Sequence, residues 1–275
     1  MRESATNKAP ETLPDWPFYT VLGVVGATYV SLIVAMLVAD LFFTTPGHFV
    51  SALRSPEIRY SIQLSLFSCT VTTFFSLLVA VPMGYLMSRF SFRGKYLLDA
   101  LLDVPIVLPP LVMGLSLLIL FQTAPGKWVE NYIPFTYAVP GVILAQFSVA
   151  SAFAVRTMIV AFDQITPRTE QVALTLGCNR MGAFFRIALP EARRGIFAAA
   201  TIAWARSLGE FGPILIFAGA TRNRTEVLSS TIFLELSIGN IEAAVAVSIL
   251  MIVAALVVLG VTRKFGLRSF SEKRV

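Results

Sequence analysis

Charged side chains stand in this chain where apolar residues surround them, and their spacing points to ion pairing rather than to bond-breaking chemistry. In WARSLGEFGPILIFAG (204–219), Arg206 and Glu210 are four residues apart. A helix puts such a pair on one face, one turn apart, where the two charges can neutralise each other. An ionisable group inside an apolar span is a functional candidate by default. The alternative is an ion pair that only stitches a helix bundle together. Gly209, Gly212 and Pro213 lie in the same stretch and predict a break or a hinge. In KYLLDALLDVPIVLPPLVMG (95–114), Asp99 and Asp103 repeat the four-residue spacing with like charges, so a basic partner is required. Arg156 lies at a compatible depth in another apolar segment and is the expected partner of Asp103.

Two further groupings are polar without being catalytic. Ser61, Ser65, Ser68, Thr72 and Ser76 recur at steps of three and four residues, which sets their hydroxyls on one helix face. Such a stripe either lets helices pack closely or lines a path for a polar solute. The stretch EQVALTLGCNRMGAFFRIALPEA (170–192) is a charged helix–turn–helix in an oily chain. Gly177 can take the backbone angles that stop a helix. Residues 168–176 then form one short helix and 180–189 a second, ended near Pro190. Arg180, Arg186, Arg193 and Arg194 keep the hairpin out of lipid. Val172, Leu174, Leu176, Phe184, Phe185, Ile187 and Leu189 give it an apolar face, which either packs under its own bundle or docks on a partner.

Other chemistry lacks its residues. No glycine-rich loop ending in Gly-Lys-Ser/Thr is present for ATP phosphates, and no His-Glu-x-x-His or Gly-x-Ser-x-Gly motif. Cys69 and Cys178 are two separated thiols and make no metal site. His48, the one histidine, reads as a loop residue near a membrane surface. Enzymatic chemistry, cofactors and resident metals are therefore not expected on this chain.

The elements that position these residues follow from composition. Of 275 residues, 56% are hydrophobic and 14% charged, with mean hydropathy +0.75. About six segments reach the roughly 20 apolar residues that a bilayer about 30 Å thick requires: 18–43, 60–88, 97–121, 138–161, 195–219 and 241–262. Pro105, Pro109 and Pro110 force kinks in the third, which must then be buried or line a cavity. The segment 44–58 suits a short interfacial helix. The net charge of +6 does not indicate nucleic acid. Its basic residues gather between the second and third spans (Arg89, Arg93, Lys95), between the fourth and fifth, and after the sixth (Arg263, Lys264, Arg268, Lys273, Arg274). The alternate loops hold fewer: Arg54, Lys127, Arg222 and Arg224. The positive-inside rule then places both termini and the hairpin in the cytoplasm, with the basic residues against lipid headgroups. Residues 1–17 are expected to be a disordered cytoplasmic tail, 18–265 the membrane domain with its hairpin at about 162–194, and 266–275 a second cytoplasmic tail.

The hairpin resembles the EAA loop of ABC importer permeases, E-A-A-x-x-x-G followed by nine residues and I-x-L-P. Ala173, Gly177, Ile187, Leu189 and Pro190 fall at that spacing. Gln171 and Val172 occupy the leading E-A positions, and Glu170 stands one residue earlier. The resemblance implies an all-α integral membrane fold of the type I ABC importer permease kind, with about six transmembrane helices. It implies that the hairpin docks into a separate ATP-binding subunit. Two copies of that subunit, a second permease chain (a homodimer) and an extracytoplasmic substrate-binding protein complete the machine. LLDALLDVPIVLPPLVMGLSLL and ARSLGEFGPILIFAGATRNRTEVLSSTIF are similar to stretches of the molybdate, tungstate and sulfate permeases, with Ser207, Leu208, Gly209, Glu210, Phe211 and Gly212 forming the shared element. Cargo is then a tetrahedral oxyanion, molybdate or tungstate ahead of sulfate. A permease for phosphate, iron or thiamine, and a non-transporting assembly or sensing subunit, are the rival readings.

Overall fold

The fold is taken from a computed structural model that describes residues 16–271, with side chains over 16–260 except those of Pro17, Pro46 and His48. Most of the expected N-terminal tail and the last residues of the C-terminal one lie outside the described residues. The described residues form helices and turns, with no strand.

The chain divides into two compact units, 1–45 and 46–275. The first holds α1 (Trp16–Phe43), 28 residues of almost wholly apolar sequence. None of its apolar stretch Phe18–Phe43 is buried, as suits a helix hydrophobic all round whose surroundings are lipid or protein rather than water. The second unit opens with α2 (Pro46–Arg54), the short helix expected in this segment, which carries His48 within it rather than in a loop. Then comes α3 (Pro56–Arg89), 34 residues long. Proline at its first turn loses no intrahelical bond there, and Ser55 Oγ donates to the Glu57 carboxylate.

Broken helices follow. α4 (Lys95–Val107) and α5 (Pro110–Gln122) meet at 112°. Leu108 is extended because a residue before proline is pushed out of the helical region, and Pro109 and Pro110 offer no N–H to continue the ladder. Pro105, by contrast, lies inside α4. α6 (Ala124–Glu130) leads to α7 (Val139–Asp163). After the hairpin, α11 (Arg193–Leu208) stops at Gly209, and α12 (Gly212–Phe217) restarts with Pro213 in its first turn. α13 (Leu228–Ser237) and α14 (Ile241–Ser271) end the unit, α14 running through part of the expected C-terminal tail.

The expected number of about six spans is not confirmed: among the described residues, four helices are long and apolar enough to cross a membrane, or five if the bent α4–α5 pair is one span. The fifth candidate, 195–219, divides at Gly209–Phe211, which leaves α11 with 16 residues, about 24 Å at 1.5 Å per residue.

α3, α7 and α11 make the central core. Ala80, Ala150, Ala154, Val155, Met158, Phe162, Ala199 and Ala203 pack together there, all nearly inaccessible. Small residues predominate because helices in lipid gain by close van der Waals approach, not by excluding water. A Gln146 network crosses the same core: its Nε2 donates to Ser207 O (3.2 Å), and Thr72 Oγ1 donates to its Oε1 (3.1 Å). The two broken segments also meet each other. A Cβ on Gly114 of α5 would lie 2.8 Å from Pro213 Cα, and one on Gly212 of α12 would lie 2.8 Å from Pro110 Cβ. Each glycine thus makes room for the other helix's proline.

At the start of α3, a tight loop (219–227) closes over the core. Tyr60 Oη donates to Arg224 O (2.9 Å), and the Leu228 N–H donates to Ser65 Oγ (2.8 Å). Glu226 in this loop is fully buried, and neither carboxylate oxygen has a hydrogen-bond partner. The neighbouring Thr231 hydroxyl donates to Val227 O instead (3.0 Å). Burial pushes the Glu226 carboxyl above its ordinary value, against a smaller opposing pull from Arg222.

Gly212→Val should destabilise the protein by about 1–3 kcal/mol through overpacking against Pro110, read by thermal unfolding in detergent. Gly209→Ala, whose nearest neighbours are 3.9 Å away, should change it by less than about 0.5 kcal/mol. For Glu226 the folded state holds the proton more tightly than the unfolded chain. Its stabilising contribution is therefore complete below the unfolded value near 4.5 and is lost as pH rises through the higher folded one. Glu226→Gln removes that loss, so melting temperatures from pH 4 to pH 8 should show the variant gaining on the parent as pH rises; a constant gap would contradict the assignment.

Candidate functional site

The hairpin begins where α7 ends. α8 (Pro167–Thr175) is closed by Gly177 at φ +86°. The Cys178 N–H donates to Ala173 O (3.0 Å) and the Gly177 N–H to Leu174 O (3.1 Å), a paired closure that needs the left-handed angle glycine takes without cost. Asn179 then caps α9 (Arg180–Ala183), its Oδ1 accepting from the Gly182 N–H (2.7 Å). The helix continues through a π-helical turn, Phe184–Ala188, into α10 (Leu189–Glu191) with Pro190 in its first turn. The extra residue in that turn re-aims the side chains around it.

The sequence left open whether the apolar residues pack inward or face a partner. The structure divides them. Glu170, Ala173, Ala183, Ala188 and Ala192 are buried, and Phe184 packs edge-on to Tyr85 at 4.7 Å between centroids. Ile187 and Leu189 are half-buried. Val172, Leu174, Leu176, Met181 and Phe185 are exposed, Leu176 at 82%. Gln171 and Pro190 are exposed too, and Arg180 lies 5.6 Å from the Phe90 ring centroid. One face is therefore fixed to the bundle, while the other presents apolar side chains among charges.

Glu170 belongs to the fixed face. Arg89, the last residue of α3, donates through Nε to Glu170 Oε1 (2.8 Å), and Tyr85 Oη donates to Oε2 (2.6 Å). Arg89 Nη2 also donates to Ile165 O (2.9 Å), in the turn before α8. Both ion-pair side chains are only 9% exposed. Sequence reading counted Arg89 among topology-setting charges, and no spacing links it to residue 170.

The other charges pair as their spacing required. Arg206 Nη2 lies 2.7 Å from Glu210 Oε1, with Glu210 buried and Arg206 half-exposed. Oε1 makes no hydrogen bond despite that distance, so the contact is charge on charge. Arg206 also lies over Phe153, 5.4 Å from the ring centroid. Gly209 and the Gly212–Pro213 restart follow directly, and Ser229 Oγ donates to Glu210 O across the break (2.6 Å). Arg156 holds both aspartates of α4: Nε donates to Asp103 Oδ1 (2.6 Å), Nη1 to Asp99 Oδ1 (2.6 Å) and Nη2 to Asp99 O (2.9 Å).

The hydroxyl stripe lies inside the chain's own packing. Ser61, Ser65, Ser68 and Thr72 are buried to within 1%. Ser61 donates to Ile58 O, Ser68 to Ser65 O, and Thr72 reaches across to α7. Ser65 accepts from Leu228. Ser65 and Thr72 thus join α3 to other elements of the same chain, while Ser61 and Ser68 bond the backbone of their own helix. Among the described residues no cluster of three or more His, Cys, Asp or Glu is arranged to hold a metal.

Comparison with known proteins gives this arrangement its context. Residues 80–269 match the family described as "Binding-protein-dependent transport system inner membrane component". The sulfate transport system permease protein CysT of Escherichia coli is 32% identical over 81% of this chain and 82% of that protein. A probable molybdenum ABC transporter permease of Haloferax volcanii is 36% identical over 78% and 77%. The molybdenum transport system permease protein ModB of Mycobacterium tuberculosis is 33% identical over 92% and 95%. Among solved structures, a chain of a bacterial alginate ABC transporter, crystallised with its pentasaccharide-bound periplasmic protein, superposes with TM-score 0.74. It has 19% identity and coverage of 92% and 95%, so the likeness is one of fold. The matched region takes in the hairpin and both broken segments, and the chain belongs to the family of inner membrane components of binding-protein-dependent transport systems.

Proposed function

We propose that this chain is the permease subunit of an ATP-driven importer, and that with a second copy of itself it forms the path for a tetrahedral oxyanion, molybdate or tungstate. The observation that carries the reading is the two-faced hairpin. Its inner face is locked to α3 and α7, and its outer face offers Val172, Leu176, Met181 and Phe185 to a partner. Apolar side chains ringed by charge suit a protein groove. The names of the relatives support the cargo class, two of the three relatives described above being molybdenum permeases. Sulfate is the second reading, supported by the CysT likeness over most of both chains.

ATP hydrolysis then resides on a separate subunit, present in two copies, that receives the hairpin through Gln171, Gly177, Arg180 and the exposed apolar residues. An extracytoplasmic binding protein delivers the anion to the outer mouth. Both termini and the hairpin are cytoplasmic, by the placement of basic residues. Closure of the ATPase pair moves the hairpins, and the helices fixed to them rock between inward-open and outward-open states. Burial of Glu210 against Arg206 removes a carboxylate that would repel an anion from the path. The Gly209–Pro213 interruption places a hinge beside that pair.

Uptake by vesicles holding this chain with its ATPase and binding protein tests the reading. ATP-dependent molybdate uptake that excess sulfate leaves intact is the expected result. Sulfate uptake instead moves only the cargo, and no oxyanion uptake removes the proposal. Gly177→Asp should lower ATP-driven uptake by about tenfold or more through lost docking, with membrane insertion unchanged. A Cβ there meets nothing within 4 Å, so the change acts through the positive φ and the new charge. Normal uptake in that variant would take the hairpin out of the mechanism.

A further inference from the structure

We propose that Tyr85, Arg89 and Glu170 form a positioning clamp that carries movement of the hairpin into α3, and that Glu170 faces this clamp rather than the ATPase. The inference rests on the permease reading above and assigns a role to a residue that the coupling motif does not contain.

The motif's acidic position is held here by Gln171, which is exposed. The acid stands one residue earlier, about 100° around the helix, and that shift turns it inward. Both its oxygens are used within the chain, one by Arg89 and one by Tyr85. The same guanidinium holds Ile165 O and contacts Ser88 Oγ (3.2 Å), and Ser88 donates to Asp163 Oδ1 (2.5 Å). One cation at the end of α3 thereby grips the end of α7, the turn after it and α8.

Val172, on the outer face, lies about 200° around α8 from Glu170. A partner that presses on the outer face drives Glu170 towards Arg89, and one that withdraws pulls against directed, charge-assisted hydrogen bonds. Apolar contacts alone would let α8 slide over α3, because they have no preferred direction. Removing either charge leaves the other buried without compensation. The clamp therefore converts movement of a peripheral hairpin into movement of a spanning helix.

The test uses the assembled transporter in proteoliposomes and reads anion transported per ATP hydrolysed, a ratio that simple loss of folded protein does not alter. Glu170→Ala should keep the co-purifying ATPase and its hydrolysis while the ratio falls about tenfold. The exchange R89E/E170R should recover most of that loss. Tyr85→Phe, which deletes one hydroxyl, should lower the ratio by a smaller factor and serves if the alanine variant does not fold. An unchanged ratio in the variants that fold, with the parent transporting normally, overturns the clamp alone. Loss of the ATPase from Glu170→Ala, unrelieved by the exchange, also overturns it by making Glu170 a docking residue. A parent chain that shows no ATP-driven uptake overturns the permease reading and the clamp with it.

Discussion

A charge held away from water must find its partner inside the protein or, as at Glu226, be driven towards its neutral form, and most of this structure can be read as a response to that constraint. Arg156 sits between Asp99 and Asp103 and ties α7 to α4. Glu210 is buried only with Arg206 beside it. Gln146 joins α3, α7 and α11 through groups that would otherwise face hydrocarbon. Arg89 and Glu170 extend the same rule to the edge of the bundle, where they fix a charged hairpin to an apolar core.

This constraint also explains how the broken helices are accommodated. The α4–α5 and α11–α12 interruptions expose backbone groups, and the chain stacks them against each other through Gly114 and Gly212 rather than leaving them in lipid. The resulting contact is tight, each glycine lying against the other segment's proline. Packed interfaces of this kind switch between discrete states, which suits a path that must open on one side at a time. In the proposed mechanism, input at the hairpin reaches the broken segments through α3, α7 and α11, which a small-residue core holds close together.

Much of this was legible in the sequence, and for identifiable reasons. Spacings of three or four residues report one helix face, so the Arg206–Glu210 pair and the need for a partner at Asp99 and Asp103 could be read directly. Gly177 is a backbone device with few alternative uses, and it marked the end of the first hairpin helix, whereas Pro190 lies in the first turn of the short helix that continues the second. The Arg89–Glu170 pair was not legible, because a contact between residues so far apart in sequence depends on how helices pack. The hydroxyl stripe was half legible: periodicity gave its common face but not what that face meets, and its neighbours proved to be α7 and the start of α13. The span count was legible only in part, because hydropathy smooths over backbone chemistry. The segment 195–219 is apolar enough, yet Gly209 and Pro213 divide it.

The central claim is that the outer face of the hairpin is where force from ATP enters the bundle. A photo-crosslinking residue at Leu176, the most exposed large apolar side chain of that face, tests it most directly in the assembled transporter. The account predicts a crosslink to the ATP-binding subunit whose yield changes when the nucleotide is trapped. Crosslinks to lipid alone, or to the ATPase with a yield indifferent to nucleotide, would contradict it.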